Sequence, residues 1–155
     1  MLSLIGEYEL AIDAKGRFLL PAGLRKQLPE GQSDRFVINR GFENCLVMYP
    51  MEIWAVISAR INKLNDFNPK ERALKRLFLN GATIVEVDAA GRMNLPKNLM
   101  EFAGLSKEMT LAAQGNKMEL WDKTAYQNYL AQHAGDLSAL AEEVGGGEAF
   151  NPFAD

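Results

Sequence analysis

Two copies of one five-residue pattern contain the side chains of this sequence that are best suited to binding chemistry. The first copy runs from Asp13 to Arg17 and reads DAKGR, and the second runs from Asp88 to Arg92 and reads DAAGR. A guanidinium group donates paired hydrogen bonds in a fixed geometry that matches a phosphate or the edge of a guanine base. The pattern therefore predicts two loops that each present an arginine to an anionic or base-edge ligand.

Both copies also have the composition of a tight turn. The glycine supplies the positive φ that such a turn needs, and the aspartate can accept hydrogen bonds from backbone amides further along the turn. One interpretation is a turn lock, in which the aspartate binds turn amides and pairs with its arginine. The other is a cationic tip, in which Arg17 and the neighbouring Lys15 are available to a ligand. The aspartates fit both interpretations, whereas the arginines favour the tip.

Two further groups of basic residues are candidate extensions of these tips. Arg25 and Lys26 lie on the short helix predicted after the first turn, where they could extend its tip or be ordinary surface charges. The helix predicted from Pro69 is basic as well, but a solvated face accounts better for its charges. The candidate site residues are Asp13, Lys15, Gly16, Arg17 and Arg25 in the first half of the chain and Asp88, Gly91 and Arg92 in the second.

The two turns belong to a longer internal repeat. At an offset of 75 residues, seven of twelve positions are identical. These pairs are Asp13/Asp88, Ala14/Ala89, Gly16/Gly91, Arg17/Arg92, Leu20/Leu95, Pro21/Pro96 and Leu24/Leu99. Such self-similarity predicts two copies of one supersecondary unit in a single chain.

Each copy reads as a small β-rich unit. Alternation predicts a strand before each turn, with Tyr8, Leu10 and Ile12 on the buried side in the first copy. After the turn the chain is expected to return as a second strand. A proline, Pro21 or Pro96, then begins a short helix, and a second hairpin follows.

Helices are predicted between the copies and after them, which gives an α+β fold class. Asn68 is predicted to cap the helix that begins at Pro69. Leu74, Leu77 and Phe78 are expected to face inward on that helix, and His133 is expected to be packed in the C-terminal helix. The predicted organisation is a first repeat at 7–54, a helical connector at 55–82, a second repeat at 83–126, the end of the C-terminal helix at 127–134 and a flexible acidic tail at 135–155.

Charge and composition restrict the function classes. The net charge of the 155 residues is −3, but residues 1–80 sum to +3 and residues 81–155 to −6, so contacts with a polyanion would be local. A single cysteine and a single histidine exclude a zinc site of Cys and His ligands and leave little for nucleophilic catalysis. No metal, cofactor or catalytic residue is predicted. Because no apolar run approaches the roughly 18 residues of a membrane span and no secretion signal is evident, a cytoplasmic protein is expected.

The paired DxxGR turns, each followed by Leu-Pro and a short helix, resemble the MraZ family of bacterial transcriptional regulators, which carry two SpoVT/AbrB-type repeats. The resemblance covers roughly residues 1–134. It implies two tandem swapped-hairpin units that pair as an intrachain pseudo-dimer, and a homo-oligomer, typically a ring. It also implies a nucleoid-associated protein whose partner is double-stranded DNA, with no membrane partner. The expected sites are direct repeats upstream of the division and cell-wall gene cluster, including the protein's own gene, where such proteins usually repress.

Ala90 departs from the pattern, because these motifs often have a polar or basic residue there. The second tip would then depend on Arg92 alone, and the first copy is expected to dominate DNA contact. The alternative function is a protein-interaction module of the same fold, in which Phe150 and Phe153 of the tail dock on a partner. An enzyme is the weakest of the three hypotheses, since the sequence assembles no nucleophile, base or metal cluster.

Overall fold

The computed structural model describes residues 2–145, which form eight strands and six helices. The first copy contains β1 (Glu7–Ala11), β2 (Arg17–Leu19), α1 (Ala22–Arg25), β3 (Arg35–Arg40) and β4 (Leu46–Pro50). Two helices, α2 (Met51–Ile61) and α3 (Pro69–Leu79), lie between the copies. The second copy contains β5 (Thr83–Glu86), β6 (Arg92–Asn94), α4 (Lys97–Ala103), β7 (Glu108–Ala113) and β8 (Met118–Asp122), and α5 (Lys123–Gln132) and α6 (Leu137–Val144) follow. The fold is α+β and rich in strands, as predicted.

The larger sheet exchanges strands between the two copies. Its six strands are ordered β1-β7-β8-β4-β3-β5, and all neighbours are antiparallel. The first strand of each copy thus pairs with the hairpin of the other copy, while β4 and β8 meet in the centre. When every strand is replaced by its counterpart in the other copy, the same order results, read from the opposite edge of the sheet. This exchange makes the chain an intrachain pseudo-dimer of two swapped units.

A separate two-stranded ribbon is formed by β2 and β6, again one strand from each copy. Arg17 lies opposite Asn94, Phe18 opposite Met93 and Leu19 opposite Arg92. The strands on either side of each turn therefore do not form a ladder with each other, as a simple returning hairpin would. The sequence correctly predicted a strand on each side of the turn, but neither alternation nor the turn residues indicate which partner each strand takes.

Hydrogen bonds beyond the ribbon lock the two copies together. The amide of Leu20 donates to the carbonyl of Gly91 at 3.0 Å, and the amide of Leu95 donates to the carbonyl of Gly16 at 2.8 Å. The carbonyl of each turn glycine thus accepts a hydrogen bond from the residue that directly follows the ribbon strand of the other copy. The geometry of each turn therefore depends on both copies.

The core lies beneath the ribbon and against the large sheet. Alternation along the ribbon strands turns Phe18 and Met93 inward, and both side chains are almost completely buried. Burial of one such apolar side chain contributes about 1.5–3 kcal/mol. The other large side chains that are fully buried are Leu24, Phe36, Ile38, Leu46, Met48, Leu99, Met109, Leu111, Met118 and Leu120.

The connector helices contact the sheet through aromatic side chains. The ring of Trp54 on α2 lies 5.4 Å from that of Tyr49 and stacks on Phe78 of α3 at 6.2 Å. The buried Asn39 donates from Nδ2 to the Phe78 carbonyl at 2.7 Å. Asn68 caps α3 as the sequence predicts, because its side chain accepts hydrogen bonds from two amides of the first turn.

The predicted inward face of α3 is wrong at two of its three positions. Leu74 and Leu77 are 49% and 70% exposed, whereas Phe78 is half-buried. Helical periodicity identifies an apolar stripe, but Trp54 of α2 packs on Phe78 near the C-terminal end of that stripe, and Leu74 and Leu77 remain exposed.

Helices α5 and α6 belong to a second compact unit that begins at Thr124. His133 is 44% exposed, its Nδ1 lies 3.0 Å from Asp136 Oδ2, and its ring contacts Tyr129. The prediction of a packed histidine is therefore wrong. Residues 146–155, which include Phe150 and Phe153, lie outside the described part of the chain. Among residues 2–145, no helix has both the length and the apolar character that a membrane span requires.

Candidate nucleic-acid interface

The first turn is organised by a single carboxylate. Asp13 Oδ1 accepts hydrogen bonds from the amides of Lys15 and Arg17, both at 2.9 Å, and Oδ2 accepts one from Arg17 Nε at 2.8 Å. Gly16 has a φ of +80°, a conformation that side-chain-bearing residues rarely adopt. The aspartate thus fixes both the turn and the direction of the arginine.

The second turn repeats this geometry. Asp88 Oδ1 accepts from the amides of Ala90 and Arg92, both at 2.9 Å, and Oδ2 accepts from Arg92 Nε at 3.2 Å. Gly91 has a φ of +81°. Ala90 stands where the first copy has Lys15, so the second turn lacks that charge but keeps the same geometry.

The turn lock and the cationic tip coexist in this structure. Hydrogen bonds from the backbone amide of the following arginine lower the pKa of both Asp13 and Asp88, so both remain ionised at neutral pH. Of the three guanidinium nitrogens of its arginine, each aspartate binds only Nε. Within residues 2–145, the terminal guanidinium nitrogens of Arg17 and Arg92 have no hydrogen-bond partner and can bind a ligand.

Both arginines lie on one exposed surface, which we call the ribbon face. It comprises Arg17 and Leu19 of β2 and Arg92 and Asn94 of β6, whose side chains point away from the buried Phe18 and Met93. The side chains of Arg17 and Arg92 are 28% and 37% exposed. Diagonal neighbours on such a ribbon are about 7–8 Å apart, so the ribbon presents the two turns as a pair.

Each turn is flanked by side chains of the other copy. A Cβ built at Gly16 would lie 3.1 Å from Met100 Sδ and 3.5 Å from Asn94 Oδ1. A Cβ built at Gly91 would lie 3.7 Å from Arg25 Nη1 and 3.9 Å from Leu19 Cδ2. We therefore define the first tip as Lys15, Arg17, Asn94 and Met100, and the second tip as Ala90, Arg92, Leu19 and Arg25.

The predicted position of Arg25 is corrected by this arrangement. The sequence places Arg25 soon after the first turn, but β2 pairs with β6, so α1 begins beside the second turn. Arg25 Nη2 also contacts Asp34 Oδ1 at 3.2 Å, and its side chain is 34% exposed. The second tip therefore has two arginines and is not limited to Arg92.

Leu19, Asn94 and Met100 were not among the residues predicted from the sequence. A signal for Leu19 and Asn94 is present, since each is two positions after a turn arginine and strand residues two apart share a face. No comparable local signal exists for Met100, because its proximity to Gly16 depends on pairing between the copies.

Three potential metal ligands lie together outside the ribbon. Glu43, Cys45 and Glu119 have ligand atoms within 4.8 Å of one another. Burial, together with the charges of the two glutamates, raises the pKa of Cys45 to about 12. Glu119 also accepts hydrogen bonds from Gln114 and Trp121. A protonated thiol is a poor ligand, so this group fits a structural cysteine better than a metal centre.

Cys45 is expected to be unreactive in the native protein. Its side chain is fully buried and its thiol is protonated at neutral pH, so iodoacetamide should label it only when the chain unfolds. Mass spectrometry after timed labelling, with and without urea, measures this. In an Asn116→Cys control the new, exposed thiol should react at once. Labelling of Cys45 at that rate in native protein would contradict the prediction.

Gly16→Ala and Gly91→Ala are each expected to lower the free energy of unfolding by about 1–2 kcal/mol. The cause is the positive φ at both positions. Steric crowding of the new Cβ adds little to this loss of stability, because its nearest contacts would be the flexible side chains of Met100 and Arg25. Urea denaturation measures the loss. Gly135→Ala is the control, because that glycine has no positive φ and a Cβ would meet nothing within 4 Å. A Gly16→Ala protein as stable as wild type would contradict the prediction.

The fold and the ribbon face together define a class, namely proteins with two swapped-hairpin units in one chain. Comparison with known protein families shows to which family of that class the chain belongs. The family described as "MraZ protein, putative antitoxin-like" matches residues 3–77 and 78–144. The chain therefore belongs to the MraZ family.

Several curated relatives carry the name transcriptional regulator MraZ. The relative from Christiangramia forsetii is 46% identical over 152 residues, which cover 97% of this chain and 98% of the relative. The relative from Flavobacterium psychrophilum is 41% identical and covers 94% of both chains. The relative from Cytophaga hutchinsonii is 38% identical over 89% of this chain and 91% of its own length.

Proposed function

We propose that this protein is a transcription regulator that binds double-stranded DNA sequence-specifically through its ribbon face. The observation that carries the proposal is the placement of Arg17 and Arg92 on one two-stranded ribbon, where an aspartate binds each guanidinium group through Nε alone. The major groove of B-DNA accommodates a two-stranded ribbon, and arginine forms bidentate contacts with guanine there. The names of the curated relatives support a role in transcription.

The candidate residues have different roles in this proposal. Arg17 and Arg92 contact base edges or phosphates, Lys15 and Arg25 contact phosphates, and Asp13, Gly16, Asp88 and Gly91 shape the turns that position them. These roles follow from charge and geometry: the four basic side chains lie at the two tips, and the aspartates already bind turn amides.

The biological target and the assembly are part of the same proposal. The protein binds direct repeats upstream of the division and cell-wall gene cluster, represses that cluster and its own gene, and acts in the cytoplasm at the nucleoid. It does so as a homo-oligomer, in the form of a ring. One chain offers four cationic groups at its tips, which is a small number for tight binding at physiological salt. Joining several chains raises the affinity for repeated sites by about 10²–10⁴.

Fluorescence anisotropy tests the proposal directly. The DNA immediately upstream of the protein's own gene is titrated with protein at several salt concentrations, and a scrambled duplex of equal length is the control. We expect preference for the native duplex and a slope of log affinity against log salt of roughly −0.9 per neutralised phosphate. Equal affinity for both duplexes at every salt concentration would contradict sequence-specific binding and favour the protein-interaction hypothesis.

A further inference from the structure

The two ends of the ribbon face differ in chemistry. When the two repeats are aligned at their offset of 75 residues, Arg17 corresponds to Arg92, so the two ends have the same arginine. In the same alignment Leu19 corresponds to Asn94, so one end has an apolar side chain where the other has an amide. At the tips, Lys15 likewise corresponds to Ala90 and Arg25 to Met100. The backbone of the ribbon is therefore symmetric, whereas the surface that it presents is not.

We infer that Asn94 and Leu19 discriminate between bases, and that their difference gives each chain one orientation on its DNA site. The inference rests on the proposed function, because it requires the ribbon to enter the major groove. Arg17 and Arg92 then provide the contacts common to both ends. Asn94 and Leu19, which lie directly across the ribbon from them, provide contacts that differ between the ends.

Asn94 has the exposure and the free groups that base recognition requires. It is exposed at the end of β6, and within residues 2–145 its side chain makes no hydrogen bond. Its amide can donate and accept together, the combination that adenine offers in the major groove through N7 and the N6 amino group. The first tip therefore reads an adenine beside the base or phosphate bound by Arg17.

Leu19 is an apolar group placed in an otherwise polar surface. It is 59% exposed although it is flanked by turn residues and arginines. A leucine in the major groove has one favourable base contact, the C5 methyl group of thymine. The second tip therefore selects for thymine by apolar contact, and it rejects bases that present a polar group with no partner.

Unequal ends have a consequence for the arrangement of sites. A reader with true two-fold symmetry binds palindromes, because the symmetry of the protein is mirrored in the DNA. The pseudo-dimer has that symmetry in its backbone but loses it at Leu19 and Asn94. Each chain thus binds a non-palindromic element in one direction, and identical chains side by side match elements repeated in the same direction.

Selection from a random duplex library tests this inference. Wild-type protein, Asn94→Leu and Leu19→Asn are each used to enrich binding sites, and the enriched sequences are compared. Wild type is expected to select an asymmetric element. Either substitution should make the two halves of that element more alike, with at least about a tenfold loss of preference at the affected base, since a good contact discriminates by that amount or more. The double variant Leu19→Asn with Asn94→Leu should restore an asymmetric element with the two preferences exchanged.

Two controls separate the possible outcomes. Asn116→Leu makes the same change in the exposed loop between β7 and β8 and should leave the selected element unchanged. Thermal unfolding of each variant verifies the fold, which should be intact because both ribbon side chains are exposed. If the variants at 19 and 94 select the wild-type element, the inference is overturned while the proposed function stands. If wild type enriches no sequence, the proposed function itself fails.

Discussion

Arg17→Ala is expected to weaken binding to the operator by about ten- to hundredfold per chain. The terminal nitrogens of this guanidinium have no partner within residues 2–145, so their hydrogen bonds are available to DNA. In an assembly the loss recurs in every chain, and the total effect approaches complete loss of binding. The fold should be unaffected, because Asp13 keeps its hydrogen bonds from the two turn amides.

Two variants sharpen the measurement of Arg17 by anisotropy. Arg17→Lys retains the charge but loses the forked geometry, so it should bind with intermediate affinity. Arg60→Ala removes the same charge from the exposed C-terminal part of α2 and should change affinity by less than about twofold. An Arg17→Ala protein that binds within twofold of wild type would remove this residue from the interface.

Phe18→Ala is expected to reduce the free energy of unfolding by about 3–5 kcal/mol. Phe18 is 2% exposed and lies beneath the ribbon, directly opposite the buried Met93. Its removal leaves a cavity beneath the ribbon, where β2 of the first copy pairs with β6 of the second. Both arginines stand on these two strands, so DNA binding should weaken even in conditions where most of the protein remains folded.

The neighbouring residue is the control for Phe18. Leu19→Ala alters the exposed side of the same strand and should change the free energy of unfolding by no more than about 0.5 kcal/mol, although it removes a proposed base contact. Urea denaturation and anisotropy on the two proteins separate stability from recognition. A loss below about 1 kcal/mol for Phe18→Ala would show that the ribbon does not depend on this packing.

Local signals in the sequence predicted the parts of the fold that local physics controls. The alternation of Tyr8, Leu10 and Ile12, the glycines of the turns and the Asn68 cap each depend on residues a few positions apart, and the structure confirms all of these elements. The resemblance to a known family also predicted the exchange of strands correctly. Periodicity alone could not have done so, since β1 fits any partner with a complementary face.

The misplaced and missed features depend on contacts between distant parts of the chain. Arg25 was associated with the first turn because it is near it in sequence, yet the ribbon brings it to Gly91. Met100 reaches Gly16 by the same exchange. Asn94 and Leu19 were overlooked because neither has an unusual charge or motif. What distinguishes them is their unequal chemistry at equivalent positions, which becomes evident once the register of the ribbon is known.

The exchange of strands also determines when the protein can first become active during its own synthesis. Glu7 pairs with Ala112, so β1 has no sheet partner until most of the chain has left the ribosome. At about 5–20 residues per second, that wait lasts roughly 5–20 s. Sheets built from such distant pairings fold more slowly than helical domains. A nascent chain interrupted before β6 would lack the ribbon entirely, and only a nearly complete translation product could occupy DNA.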